Sequence, residues 1–448
     1  MKHLFLLITC LLIFTGVQAQ LQLHEGSFKS ALTEAEKQDK PLCVLIIPSA
    51  TAKVPEGYVD LRKDKSITVV LNQRFINFIP DSKDSAWIAF NSRFPFECCP
   101  RLVFVDKNGE IADRFFVPFN NRERILSLIE KASGRLNSSK TLSWYNKSHE
   151  EGRRDTTFLK EYIRERQRLG IQLNHRLAEE YAGQLPLRSI NTIPVSAFLL
   201  HTGPVYTSPL YNLIYSNRSI ADSAWISFPL RERSIINRNI IYNTHEEAVK
   251  RKNQLLAEKI AQYQRNIRKN DYKEGQVAYD QQMLRYYLAV KDTARFLGHL
   301  PYFIDRNFSG VSADSTKKYK TEFPEILREL RAERNETPAL YDEETNRLFA
   351  RRAQANRILR APLELNNAAW RVYLFSKDKA LLSKALLWSQ QSLKLDPKPE
   401  YYDTLAHILY RLELYHEAEQ TQLKAVKLAK PGATHFAKAL DKMKKRVL

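Results

Sequence analysis

Between residues 27 and 132 the spacing of apolar positions changes repeatedly from a helical to an extended period. Phe28, Leu32 and Ala35 fall on one stripe of a segment running from Ser27 to Lys40, and Pro41 ends it, which predicts an amphipathic helix. Leu42 to Ile47 is wholly apolar, the pattern of a strand buried on both faces. Phe75 to Pro80 predicts a second strand and Ser85 to Asn91 a short helix. Arg101 to Asp106 and Glu110 to Val117 predict a hairpin joined through Asn108-Gly109, a turn pair that tolerates positive φ. Asn121 to Ala132 closes the segment as a helix with Ile125, Leu128 and Ile129 inward, so the predicted order is α-β-α-β-α-β-β-α.

Beyond about residue 136 the strand signal nearly vanishes. Asp155 to Leu169 reads as a helix with Leu159, Tyr162 and Ile163 on one face and Gly170 as its C-terminal stop. Thr244 and Glu247 have the spacing of a capping box ahead of an apolar stripe from Val249 to Ile267. Pro186, Pro194, Pro204, Pro209 and Pro229 predict short, broken helices over 186–235, and breaks near Pro301, Pro324, Pro338 and Pro362 predict helical pairs thereafter. In residues 366–448, Ala385, Ser392 and Pro397 recur as Ala418, Ala425 and Lys430-Pro431. Small residues at such places let antiparallel helices approach closely, and the proline stops the second helix. The stretch resembles the tetratricopeptide repeat, most closely through Tyr401 to Ala406 followed by Tyr415-His416-Glu417-Ala418. The copy around Trp370 to Pro397 lacks the glycine usual near the first helix of that repeat.

At 448 residues the chain has room for two to four domains of about 100–200 residues each. Its 13 glycines are few for that length, which disfavours phosphate-cradling loops and a turn-dense all-β fold. The formal charge is +20, from 70 Lys+Arg against 50 Asp+Glu. Most basic residues lie in mixed runs such as Arg164-Glu165-Arg166 and Arg231-Glu232-Arg233, the pattern of a solvated helix face, and only Lys442 to Arg446 is nearly pure. No nucleic-acid motif accompanies the charge, so nucleic acid is not an expected partner, and weak association with an anionic surface is what the balance leaves. At the start of the chain, Lys2 and His3 precede an apolar run from Leu4 to Phe14, and Val17-Gln18-Ala19 offers small residues for cleavage. These are the three parts of a secretory signal, too short to span a bilayer, with cleavage expected before Gln20. The mature chain is therefore expected outside the cytoplasm, in the periplasm, without a transmembrane segment. Export leaves three cysteines, Cys43, Cys98 and Cys99, an odd number in an oxidising compartment.

Chemistry is conspicuous for the motifs that are missing. His245-Glu246-Glu247 and His416-Glu417-Ala418 have no second histidine at zinc-protease spacing, so no metal site is expected. GxSxG, GxxxxGK[ST] and GxGxxG are all absent, and no cofactor is expected. Glu179-Glu180 and Glu343-Glu344 are adjacent pairs that diverge on a helix.

The α/β segment resembles a thioredoxin-like domain. The resemblance rests on Lys40-Pro41-Leu42 entering the first strand, Leu71-Asn72 with Phe75-Ile76 before the second, Phe94-Pro95-Phe96, Pro100, and the hairpin through Asp106 to Gly109. It implies that Pro100 is the cis-proline facing the active site, and that the redox pair would fall at Thr51 and Val54. Cysteine is absent from Pro48 to Phe75, and Leu45 stands where the family's buried acid would be. Cys98 and Cys99 precede Pro100, so the resemblance turns Cys99 toward the Thr51 region; a strained vicinal disulfide, a metal-binding pair, a single reactive thiol and two packed thiols all remain open. Cys43, inside an apolar strand, is expected in the core. The layout resembles exported bacterial thioredoxin-family proteins with appended helices: a signal over 1–19, a thioredoxin-like domain over 20–135, a helical domain over 136–365, and tetratricopeptide-like hairpins over 366–448. The expected function is a redox-inactive scaffold in the cell envelope, binding a protein or peptide, with Pro100, Thr51 and Cys99 lining a groove. The alternative is a thiol–disulfide oxidoreductase or chaperone using Cys98 or Cys99.

Overall fold

In a computed structural model the alternating pattern of residues 27–132 becomes a four-stranded sheet with helices on both faces. The structure describes residues 20–47, 57–93, 102–115, 120–171, 174–268, 271–333, 343–430 and 432–448. The chain divides into two compact units, one of residues 1–228 with 232–239 and the other of 229–231 with 240–448.

The first unit opens with α1 (Phe28–Lys37), β1 (Leu42–Leu45), α2 (Lys65–Arg74), β2 (Ile76–Phe78), α3 (Ser85–Arg93), β3 (Leu102–Val105), β4 (Ile111–Phe115) and α4 (Arg122–Leu136). The sheet order is β2-β1-β3-β4; β1 runs parallel to β2 and antiparallel to β3, which pairs antiparallel with β4. The sheet is thus small, open and mixed, within an α/β domain. Side-chain alternation explains why β1 is apolar throughout. Leu42 and Val44 enter the core that holds Phe28, Trp87 and Phe90 from α1 and α3, while Cys43 and Leu45 enter the opposite core with Ile67, Leu71, Ile125 and Ile129 from α2 and α4. The hairpin turn is held by the Asp106 carboxylate, whose Oδ1 accepts from the Asn108 and Glu110 amides at 3.0 and 2.9 Å, with Gly109 at φ +80°. Ser27 caps α1 and shares a capping box with Ser30.

The first unit continues through α5 (Leu142–Glu150), α6 (Thr156–Arg168), α7 (His175–Gly183), α8 (Leu187–Ile190), α9 (Ile193–His201), α10 (Pro209–Ile214) and α11 (Arg218–Ile226). Asp155 caps α6, and Gly170 follows it at φ +67°, a left-handed backbone that favours glycine; the Arg114 guanidinium, at the end of a flexible side chain, lies where a Cβ would stand. Prolines at or beside the starts of α8, α9 and α10 keep these helices short, as the sequence predicts. The core of the Leu42 and Val44 face runs without interruption into Tyr145, Phe158, Tyr162 and on to Ala224. Asp113 on β4, almost fully buried, accepts from Arg168 of α6 at 2.9 Å and also pairs with Arg135 of α4, so one carboxylate ties two helices to the sheet edge.

α12 (Leu230–Lys250) spans the division between the units. Thereafter come α13 (Gln254–Asn266), α14 (Tyr272–Ala289), α15 (Thr293–Asn307), α16 (Ala313–Glu333), α17 (Glu343–Phe375), α18 (Lys379–Leu395), α19 (Pro399–Arg411), α20 (Tyr415–Leu428) and α21 (Thr434–Lys444). Two expectations are corrected here. Thr244 and Glu247 lie inside α12, where Thr244 Oγ1 donates to the Ile240 carbonyl at 2.6 Å; the cap of α13 is Asn253, whose side chain accepts from the Leu256 amide. Pro301, Pro324 and Pro362 lie within α15, α16 and α17 rather than between helices. Each costs about 3 kcal/mol of helix stability, and burial of neighbours such as Leu300, Phe303 and Ile304, or Ala361 and Leu365, offsets it. Pro338 lies outside the described residues. In the C-terminal stretch Ala385, Ser392, Ala418 and Ala425 are all fully buried, and α17 with α18 and α19 with α20 are closely packed hairpins. The expected small-residue register is present; Pro431 is outside the described residues.

Candidate functional site

The groove residues expected from the sequence, Thr51, Cys98, Cys99 and Pro100, lie outside the described residues, as does Val54. Cys43 is fully buried in β1, and burial pushes its thiol far above the usual range. Leu45 is equally buried and carries no proton acceptor. Among the described residues no group of three His, Cys, Asp or Glu side chains is placed to hold a metal ion, and no helix is long and apolar enough to cross a membrane.

The second unit contains a cavity of about 250 Å³ where α13, α14 and α15 meet. Helical spacing aims the three faces at one place. α14 contributes Asp280, Met283 and Tyr287, positions i, i+3 and i+7; α15 contributes His299, Tyr302 and Phe303; α13 contributes Gln254 and Glu258, one turn apart. The Tyr287 and His299 rings stack across the α14–α15 contact at 5.3 Å. Gln254 Nε2 donates to Glu258 Oε1 at 2.7 Å, and Arg295 at the start of α15 donates to Gln254 Oε1.

Asp280 is the polar group that stands out. Its Oδ1 accepts from Gln276 Nε2, one turn earlier on α14, at 2.9 Å. Its Oδ2 is buried and has no hydrogen-bond partner. Desolvation raises the carboxyl above its ordinary range, against the bond from Gln276 and the charges of Arg306 and His299. Burial likewise raises the phenols of Tyr279 and Tyr287, which keeps these rings neutral. These residues form no motif in the sequence, because Met283 and Tyr287 at helical spacing on α14 have the pattern of core positions.

Behind the cavity runs a buried polar chain. Gln264 Nε2 of α13 donates to Gln282 Oε1 of α14 at 2.9 Å, and the Gln282 amide lies 2.9 Å from His245 Nδ1 of α12. Burial, helped by the charge of Arg285, pushes His245 down to about 4, so the ring is neutral and Nδ1 accepts from the Gln282 amide. His245 is thus a structural acceptor rather than a base facing solvent.

At the C-terminus, half of the basic run is neutralised locally: Lys445 pairs with Asp441 at 2.8 Å and Arg446 with Glu419 at 2.5 Å. No protein-family model matches the chain, and no curated protein or solved structure matches it at a significant level.

Proposed function

We propose that this protein is an exported, redox-inactive scaffold that binds a protein or peptide partner in the cell envelope. In this reading residues 20–135 form a thioredoxin-like scaffold, whose groove beside Pro100, Thr51 and Cys99 is a binding surface, and residues 366–448 present the partner-binding hairpins. The observation that carries it is the succession of packed helices from α16 to α21, in which each helix lies against the next. Stacked helix pairs of this kind build extended surfaces whose side chains vary without cost to the core. The sequence adds the signal-like N-terminus and the lack of cysteine at Thr51 and Val54.

The test is capture of a partner from envelope extract by the full chain and by a chain ending at residue 398, which removes α19 to α21 and leaves the α17–α18 hairpin whole. A partner retained by the full chain and lost on truncation is the expected result. Equal retention by both would move the binding surface elsewhere, and no retention by either would refute the scaffold reading.

A further inference from the structure

We infer that the mature chain begins with a pyroglutamyl residue, formed when the amine of Gln20 closes onto its own side-chain amide after the signal is removed. The inference rests on the export reading above and makes residue 20 a modification site.

The backbone that follows Gln20 is fastened at once. Leu21 is buried in the core with Leu45, Leu61, Ile67 and Leu71, and its amide donates to the Arg62 carbonyl at 2.9 Å. The Gln22 amide donates to Asn72 Oδ1 at 2.9 Å, and Asn72 Nδ2 donates to the Gln20 carbonyl at 3.1 Å. One asparagine of α2 thus grips the strand on either side of Leu21. Asn77 Nδ2 donates to the Gln22 carbonyl at 3.3 Å, and the His24 amide donates to the Asn77 carbonyl at 2.7 Å. Leu23 bridges to Asn77 in the parallel sense, so this stretch covers the outer edge of β2. A chain start tied down in this way holds one position.

The other end of Gln20 is loose. The residue is exposed, and its side-chain amide has no hydrogen-bond partner among the described residues. Cleavage before residue 20 therefore creates an amine at the surface, on the same residue as an unengaged primary amide. Carrying both groups on one residue makes their reaction unimolecular. The terminal nitrogen attacks Cδ and an N–C bond forms. The bond from Cδ to the amide nitrogen breaks, and ammonia leaves with the proton that the amine sheds. Neither oxidant, metal nor co-reactant is consumed.

The surroundings favour the product. The open amine would add a positive charge beside the Arg62-Lys63 backbone, in a chain whose formal charge is already +20, whereas the lactam is neutral. The Gln20 carbonyl held by Asn72 and the Leu21 amide held by Arg62 are not among the reacting atoms. Ring closure thus leaves the edge strand in place.

Two preparations test the inference, each read by mass spectrometry of the N-terminal proteolytic peptide. In one, a chain starting at Gln20 is released from an N-terminal fusion by a protease that leaves no extra residue, and is incubated at neutral pH. The other is the chain recovered after export from its own precursor. Both peptides should be lighter by one ammonia than the sequence requires, and both should release their first residue to pyroglutamyl peptidase. Gln20→Asn in the first preparation should keep its amine, because the shorter side chain closes only a smaller, strained ring. A free amine persisting on Gln20 in either preparation, or the same loss of ammonia from the peptide of the Asn variant, would overturn the inference and leave the export reading standing. An exported chain that begins at any other residue would overturn both the inference and cleavage before Gln20.

Discussion

Lowering the pH from 7 to 5 should loosen the second unit through a single side chain, His245. The ring is buried, its Nδ1 accepts from Gln282, and burial holds it down to about 4 against the 6.5 of an unconstrained histidine. Between those values the unfolded chain binds a proton that the folded chain refuses, so stability falls as the pH drops below 6.5 and levels out near 4. Integrating over the drop from pH 7 to 5 gives a loss of about 2 kcal/mol from this residue. Asp280 works in the opposite direction, because its raised carboxyl takes up a proton more readily in the folded chain. Wild type alone therefore mixes opposing contributions. The informative comparison is with His245→Gln, which keeps an amide able to bond Gln282 and removes the titration. Native-state hydrogen exchange over peptides of α12 and α14, corrected for intrinsic rates, reads the opening free energy of each element at both pH values. Wild type should lose about 2 kcal/mol more than the variant on acidification. Equal losses would show that His245 is charged or hydrated at pH 5 in the folded protein, and the buried polar chain through Gln282 and Gln264 would need another explanation.

Ala418 is fully buried between α19 and α20, so Ala418→Leu should overpack the hairpin and cost about 1–3 kcal/mol, read as a lower thermal midpoint; an unchanged midpoint would refute the register. Reduction of insulin by dithiothreitol should run no faster with the protein than without it, since a resolving thiol is missing at Thr51 and Val54; turnover abolished by Cys98→Ser with Cys99→Ser would instead make it a thiol enzyme. N-terminal sequencing of the exported chain should begin at or near Gln20, and retention of Leu4 to Phe14 would refute the signal.

The α/β half was legible because its chemistry is local. An apolar run as short as Leu42–Leu45 makes a strand buried on both faces, and Asn108-Gly109 marks the hairpin without long-range information. α2 had its place in the predicted order but no bounds, because its inward residues Ile67, Thr68 and Leu71 share the segment with Val70 and give a blurred stripe. The mid-helix prolines were misjudged for a reason that sequence alone cannot supply. Whether Pro301 breaks a helix depends on what Leu300, Phe303 and Ile304 bury, and those contacts are tertiary. Thr244 and Glu247 mimic a cap in spacing, but Thr244 satisfies its hydroxyl on a carbonyl of the helix it sits in. The cavity was illegible for a related reason: Asp280 is one acidic residue among 50, and only the approach of α13 and α15 makes its carboxylate oxygen unusual.

The buried contacts of the two chain halves are distributed differently, and this sets the order in which parts of the fold open. In the first unit one cluster joins Leu42 and Val44 of the sheet to Tyr162, Leu199 and Ala224, so the strands cannot be exposed without disturbing the helices that follow. Such a body opens as one cooperative piece. At the far end, by contrast, the core centred on Leu405, Ala406, Leu409, Ala418 and Met443 is small and rich in alanine. Its α21 is closed off chiefly by Phe436 and Met443, with Arg446 as a latch on Glu419 and the Tyr415 ring. Few buried side chains therefore hold α21 in place. A ligand that recognised only the closed arrangement of α21 on α20 would tighten the end of the C-terminal stack, and its grip would depend on the fraction of time α21 spends in place.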